Sequence, residues 1–286
     1  MVISKTLEDD TSLFRIMSLE RFCELLSTKE NVLIRPSKWE DPYESIVMKS
    51  AMMLNANSME PFNEKHWYGQ CWSSCEESDA LWRIYSNGKA FRSIRIKTTA
   101  AIMKSFLNND DDGHYFLEQI IYTEPSKGEK NIMKEIGNAC QFKWCWGDAN
   151  YDTIIFGDEF RNDNQLKAIP MLLTKRAPFN HEQEVRLLRY SKEAKEDSLF
   201  RYTINDLNIF IQGVTLDPWA PDGFEDAVKA IIDKYVPGNC IQVNKSDLYK
   251  DVDKGLLFDP YMYYEEYNKK RKELVHRHPQ VITRQD

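Results

Sequence analysis

Cysteine, glycine and proline are sparse in this sequence, at six, eleven and eleven of 286 residues, and no long apolar run occurs. No stretch approaches the roughly 20 apolar residues of a membrane-spanning helix, so no membrane partner is expected. Gly and Pro are scattered as turn punctuation, without a linker, a repeat or a low-complexity tract. The six cysteines are too dispersed for a disulfide framework, and residues 1–10 carry charges where a secretory signal would be apolar. Reduced thiols in a cytoplasm are the expectation. Positive charge is in deficit as well. Lys and Arg total 38 against 45 Asp and Glu, a net charge of −7, which argues against a general binder of nucleic acid or membrane surfaces. Walker A, G-x-G-x-x-G, H-E-x-x-H, G-x-S-x-G and kinase signatures are all missing.

What remains is rich in core-forming material: 42% hydrophobic and 12% aromatic, which excludes disorder as the main state. Strand-like and helix-like pieces alternate, which predicts an α+β fold with a mixed or antiparallel β-sheet, whole or split, flanked by helices. No composition break divides residues 1–286, so one domain is expected, with a core over about 13–216 and a helical C-terminal extension over about 221–286. Ser18 reads as the N-cap of a helix burying Phe22, Leu25 and Leu26. Strands are predicted at 13–18, 31–35, 66–73, 90–97, 115–122, 182–188 and 208–216. Helices are predicted at 46–54, 79–86, after Thr98 or Thr99, at 165–174, at 221–235 and beyond 261. Residues 125–163 resist assignment.

The densest chemistry lies in KRAPFNHEQEVRLLRY, residues 175–190. As a strand, 182–188 would place Glu182, Glu184 and Arg186 on one face and Gln183, Val185 and Leu187 on the other, with Lys175 and His181 nearby. Paired carboxylates of this kind raise one another's pKa or stabilise a developing cation. A solvated face with an ordinary ion pair satisfies the same pattern. Arg15, inside the apolar segment LFRIMS, needs an anionic partner, which a phosphate or a structural carboxylate would provide. Trp39, Tyr43, Trp72, Trp82 and Tyr85 form either a stacking wall for a planar ring or simply a Trp-rich core. Ser73, Ser86, Asp41 and Glu44 are the polar groups beside them. Cys71/Cys75 and Cys140/Cys145 lack the spacing of a zinc knuckle, so no metal is expected there. NKKRKELVHRH, at 268–278, is basic enough to touch RNA or to end a solvated helix.

FRIMSLERF, LIRPSKWEDPYE, YGQCWSS, SDALWRIYS, FRSIRIKT, LLTKRAPFNHEQEVRLL and IQGVTLDP occur in this order. The series resembles the bacterial family called domain of unknown function 2971, over about Leu13 to Leu216. It departs from that pattern at Glu40, where Asn is common, and at GKAFRSIRI, where a GVCI-like strand is usual. The order Arg, aromatic-Ser region, Glu-x-Glu strand also resembles the arrangement of ADP-ribosyltransferases. That second resemblance implies a split sheet with NAD in its cleft. It further implies Arg15 on the NAD phosphates or ribose, Ser73 (or Ser86) on the second strand, and Tyr85 of the W-x-x-Y helix beside the nicotinamide, with Trp82 a further cofactor-binding residue. Glu184 would be the catalytic carboxylate and Glu182 the residue on the acceptor side.

The function so implied is cleavage of the nicotinamide–ribose bond of NAD by a bacterial toxin or antiphage effector. Its partners would be a protein or nucleic-acid acceptor of ADP-ribose and a cognate antitoxin or regulator. Two alternatives stand beside it. One is a Mg²⁺-dependent nuclease with Asp41, Glu44, Glu182 and Glu184 as ligands, which requires the WEDPYE turn to lie beside the HEQEVR strand. The other is a non-enzymatic binding module.

Overall fold

The computed structural model describes residues 2–4, 6–41, 43–44, 48, 51–55, 57–86, 92–107, 113–123, 164–250, 269 and 272. The chain falls into two compact units, Met1–Leu248 and Tyr249–Asp286. Every element below belongs to the first. The unassigned stretch 125–163, the basic run and the expected helix beyond 261 lie outside the described residues, apart from helical Lys269 and Lys272.

In chain order the elements are β1 (Val2–Ile3), β2 (Ser12–Ser18), α1 (Leu19–Thr28), β3 (Glu30–Ile34), β4 (Ala51–Asn55), β5 (Ser58–Pro61) and β6 (Trp67–Ser73). Then come α2 (Asp79–Tyr85), β7 (Ser93–Thr99), α3 (Ala100–Leu107), β8 (Gly113–Gln119), β9 (Ile121–Thr123), α4 (Ile169–Leu172) and β10 (Thr174–Arg176). The series closes with β11 (Glu184–Ser191), β12 (Leu199–Thr203), α5 (Leu207–Phe210), β13 (Gly213–Leu216), α6 (Phe224–Tyr235) and β14 (Val243–Lys245).

The sheet runs β1-β8-β11-β6-β2-β7-β13-β14, with β3 branching from β6 and carrying β12. Its end pairs, β1·β8 and β13·β14, are parallel and the others antiparallel, so the architecture is α+β with a mixed sheet. One apolar layer packs Leu13, Ile94, Ile96, Val185 and Leu187 against Phe22 of α1, Met103 of α3 and Val228 and Ile232 of α6. The opposite layer packs Trp67, Phe116, Leu188 and Tyr190 against Ile169 and Leu172 of α4.

The feature that positions the site is a break in pairing. β6 meets β2 only at Ser73↔Phe14 and β3 only at Gly69↔Ile34. Gln70, Cys71 and Trp72, between those points, are registered to neither strand on that side. Side chains take over the polar backbone there: Gln70 Nε2 donates to the Val32 carbonyl (2.8 Å) and Asn31 Oδ1 accepts from the Val32 amide (3.1 Å). The ladder therefore opens into a gap whose edges are hydrogen-bonded but not closed.

Local signals in the sequence explain most elements. Ser18 accepts from the Arg21 amide (3.3 Å) and starts α1, and Thr99 accepts from the Ile102 amide (3.3 Å) and starts α3. Three expectations are corrected. Residues 51–54 of the predicted 46–54 helix belong to strand β4, because it pairs with β5 in a hairpin. Residues 208–216 are not one strand. Asp206 caps the Asn208 and Ile209 amides and starts the short helix α5, and β13 follows. The predicted 165–174 helix is a 3₁₀ segment (Asn164–Ala168) and α4, after which Thr174 enters β10. Among the described residues, no helix is long and apolar enough to cross a membrane.

Candidate active site

A cleft of about 230 Å³ occupies the gap where β6 parts from β2 and β3. Arg15, Ser73, Trp82, Tyr85, Glu182 and Glu184, the six residues singled out from sequence, all line it. Five elements or turns converge to do this: β2, β6, α2, β11 and the turn before β11.

Glu184 opens β11 and lies opposite Ser73 on β6, and Arg186 lies opposite Cys71. Alternation puts Glu184 and Arg186 on one face, while Val185 and Leu187 join the core on the other. Glu182 reaches the same place by a different route. It ends a 3₁₀ segment, Ala177–Glu182, and is followed by Gln183 in the left-handed region (φ 42°), so the predicted strand begins at Glu184, not Glu182. That turn, not strand alternation, lets both carboxylates face one cation.

The cation is Lys175 of β10. Its Nζ lies 2.6 Å from Glu182 Oε2, 3.0 Å from Glu184 Oε2 and 2.9 Å from Glu44 Oε1. Arg186 completes the cluster. It donates from Nε (2.9 Å) and Nη2 (2.7 Å) to Glu184 Oε1, from Nη2 (3.0 Å) to Glu44 Oε2, and from Nη1 to the Leu172 carbonyl. The Trp39 ring covers its guanidinium at 4.2 Å. Three carboxylates thus share two cations, all five groups at most 8% exposed. His181 is not part of the cluster and bonds its own turn through the Pro178 carbonyl.

Burial pushes carboxylate pKa values up, and neighbouring cations pull them down. At Glu184 burial is the largest single influence. The combined pull of Arg186, Lys175 and donors including the Cys71 thiol outweighs it, holding the carboxyl below the ordinary carboxylate value. At Glu44 burial prevails and the pKa rises. Glu184 therefore keeps its charge at neutral pH. Of the donors on it, the Cys71 thiol is the weakest, and burial pushes that thiol well above its ordinary pKa.

The other predicted residues divide by what already holds them. Ser73 donates to the Glu182 carbonyl (2.6 Å) and accepts from the Cys75 amide (3.0 Å), so its hydroxyl fastens the turn carrying Glu182. Ser86 is not among the residues lining the cleft and bonds buried Asp217 at 2.8 Å. Trp82 is fully buried, its indole N–H on Glu77 Oε1 (2.9 Å), and it forms the floor. Tyr85, 43% exposed, stands at the rim. Arg15 is half-buried, has no ion-pair partner among the described residues, and its pKa is lowered chiefly by burial.

Sequence reasoning did not place Glu44 in this cluster as an ion-pair partner, nor Lys175 as its hub. Glu44 was weighed as a polar group beside the aromatic residues and as a metal ligand, and it reaches Lys175 and Arg186 from a turn distant in sequence. There the Glu44 amide donates to the Asp41 carbonyl (3.1 Å), and Asp41 pairs with Arg176 at 3.0 Å. That juxtaposition is the one the nuclease reading requires, except that Asp41 faces Arg176.

Scanned against protein-family models and curated proteins, the sequence matches none, so the resemblance to domain of unknown function 2971 gains no support there. Among solved structures it is similar to Thermus sp. 2.9 DarT in three complexes. With ADP-ribosylated ssDNA, the identity is 11% and the TM-score 0.37, over 85% of this chain and 98% of that one. With NAD⁺ the values are 12% and 0.37, over 84% and 98%. With carba-NAD⁺ they are 9% and 0.36, over 84% and 97%. A likeness this distant decides nothing about the site.

Proposed function

We propose that the chain cleaves the nicotinamide–ribose bond of NAD and passes ADP-ribose to a macromolecular acceptor. One observation carries the reading: an ionised, buried carboxylate, Glu184, and a guanidinium without an ion-pair partner among the described residues, Arg15, line the same cleft. Breaking that bond leaves its electron pair with the nicotinamide, which departs neutral, and develops a cation at the ribose C1′. A fixed negative charge in a desolvated site stabilises that cation without reorganising. In this reading a ribose hydroxyl displaces the Cys71 thiol from Glu184, and Arg15 holds phosphate. Glu182 has no bond to Oε1 among the described residues, so that oxygen takes the proton of the acceptor as it attacks C1′. Ser73 positions Glu182, and Trp82 and Tyr85 flank the nicotinamide.

The nuclease alternative is disfavoured by the same geometry. Glu44, Glu182 and Glu184 already converge on the Lys175 ammonium, which a divalent ion would have to displace. The test is incubation with adenylate-labelled NAD, with and without cell lysate. Label on protein or nucleic acid supports transfer, and label recovered only as free ADP-ribose supports hydrolysis instead. Unconsumed NAD in both arms refutes the proposal.

A further inference from the structure

One buried cation in the cleft is unused by this chemistry. Arg95 of β7 lines the cleft and is only 9% exposed. Its guanidinium lies 4.9 Å from the Phe14 ring and 5.8 Å from that of Trp82. Nη2 donates to Thr215 Oγ1 (3.1 Å), but Nε has no hydrogen-bond partner among the described residues. Glu77 and Glu76 act on it only through space. Glu77 Oε1 is committed to the Trp82 indole (2.9 Å) and the Ser246 hydroxyl (2.5 Å). A guanidinium offers five donors, and a buried one left short of acceptors is costly unless a ligand supplies them.

Register fixes where this group stands. Glu184 lies opposite Ser73, Ser73 opposite Phe14, and Phe14 opposite Lys97, two residues from Arg95 on the same face. Three strand spacings and two residues along β7 separate the Glu184 and Arg95 Cα atoms by roughly 16 Å. A lone nicotinamide riboside does not span that distance, but two nucleosides joined by a pyrophosphate do. Arg15 lies opposite Ile96, and Arg95 opposite Ile16, so the two arginines belong to opposite faces of the β2–β7 pair. Both line the cleft.

We propose that Arg95 is the phosphate-binding residue of the distal half of the cleft, holding the pyrophosphate of a dinucleotide from the face of the sheet that also carries Glu184. The assignment rests on the NAD reading above. It is tested by calorimetric binding of ADP-ribose and of phosphate-free nicotinamide riboside to the wild-type chain and Arg95→Gln. ADP-ribose is expected to bind Arg95→Gln about 10–100-fold more weakly, as for one lost charge-assisted contact, with nicotinamide riboside unchanged. Unchanged ADP-ribose affinity, or equal weakening of both ligands, overturns the proposal and leaves the NAD reading standing. A wild-type chain that binds neither ligand overturns both. Should Arg95→Gln not fold, Arg95→Lys takes its place. Loss of the planar fork is then expected to weaken ADP-ribose alone, by about threefold or more, and the same two results would overturn the proposal.

Discussion

Glu184 and Glu44 share Lys175 and Arg186 yet respond to burial in opposite ways. Glu184 receives two bonds from Arg186 and one each from Lys175 and Cys71, enough to hold its pKa below the ordinary value. Glu44 receives one from each cation and its pKa rises. The linkage signs follow. The stabilising contribution of Glu184 is complete above the ordinary carboxylate value and fades as pH falls through its lower native one. The ionisation of Glu44 opposes folding at neutral pH, and that opposition is relieved as pH falls through its raised value. At pH 7, chemical denaturation should therefore show Glu184→Gln losing about 3 kcal/mol or more, as when a buried ion pair is broken on one side, and Glu44→Gln losing about 1 kcal/mol or less. Equal losses would contradict the opposed shifts.

β6 owes its part in the cleft to Gly69. A Cβ there would collide with the Trp39 ring and lie 3.2 Å from Leu188 Cδ2. The missing side chain thus lets Trp39 lie over Arg186, beside Glu184 at one end of the cleft. Gly69→Ala is expected to dislodge Trp39 and cost about 1–3 kcal/mol, the usual toll of overpacking, read as a lowered melting temperature with a parallel loss of NAD cleavage. An unchanged melting temperature would show that Trp39 yields freely. Elements of this kind differ in how far sequence reveals them. The alternation of β11, the caps at Ser18 and Thr99 and the W-x-x-Y helix are local patterns, and they place Glu184, Arg186, Trp82 and Tyr85 correctly. Glu182 was assigned to the right neighbourhood for the wrong local reason, since a positive φ at a glutamine leaves no trace in composition. The 46–54 segment reads as helix by its own propensities, and the pairing of β4 with β5 overrides them at 51–54. Lys175 as hub, Glu44 as its partner and Arg95 as a cleft residue arise only when distant strands meet.

A net charge of −7 conceals a cleft lined by Arg15 and Arg95, neither ion-paired among the described residues. Such a local field serves an anionic ligand even in an acidic chain, because burial weakens solvent screening there. The mixed sheet supports this arrangement by pairing fully along β11·β6 and β2·β7 while opening between β6 and β2. Glu184 is thereby fixed to one half and Arg15 and Arg95 to the other, with the ligand expected across the opening. The most direct test is the rate of nicotinamide release from NAD by the wild-type chain and Glu184→Gln, in lysate-supplemented buffer, compared at a temperature where both remain folded. If Glu184 stabilises the ribosyl cation, the variant should be slower by about 10²–10³-fold, as when one preorganised electrostatic group is removed. Equal rates in two folded proteins would contradict the central claim.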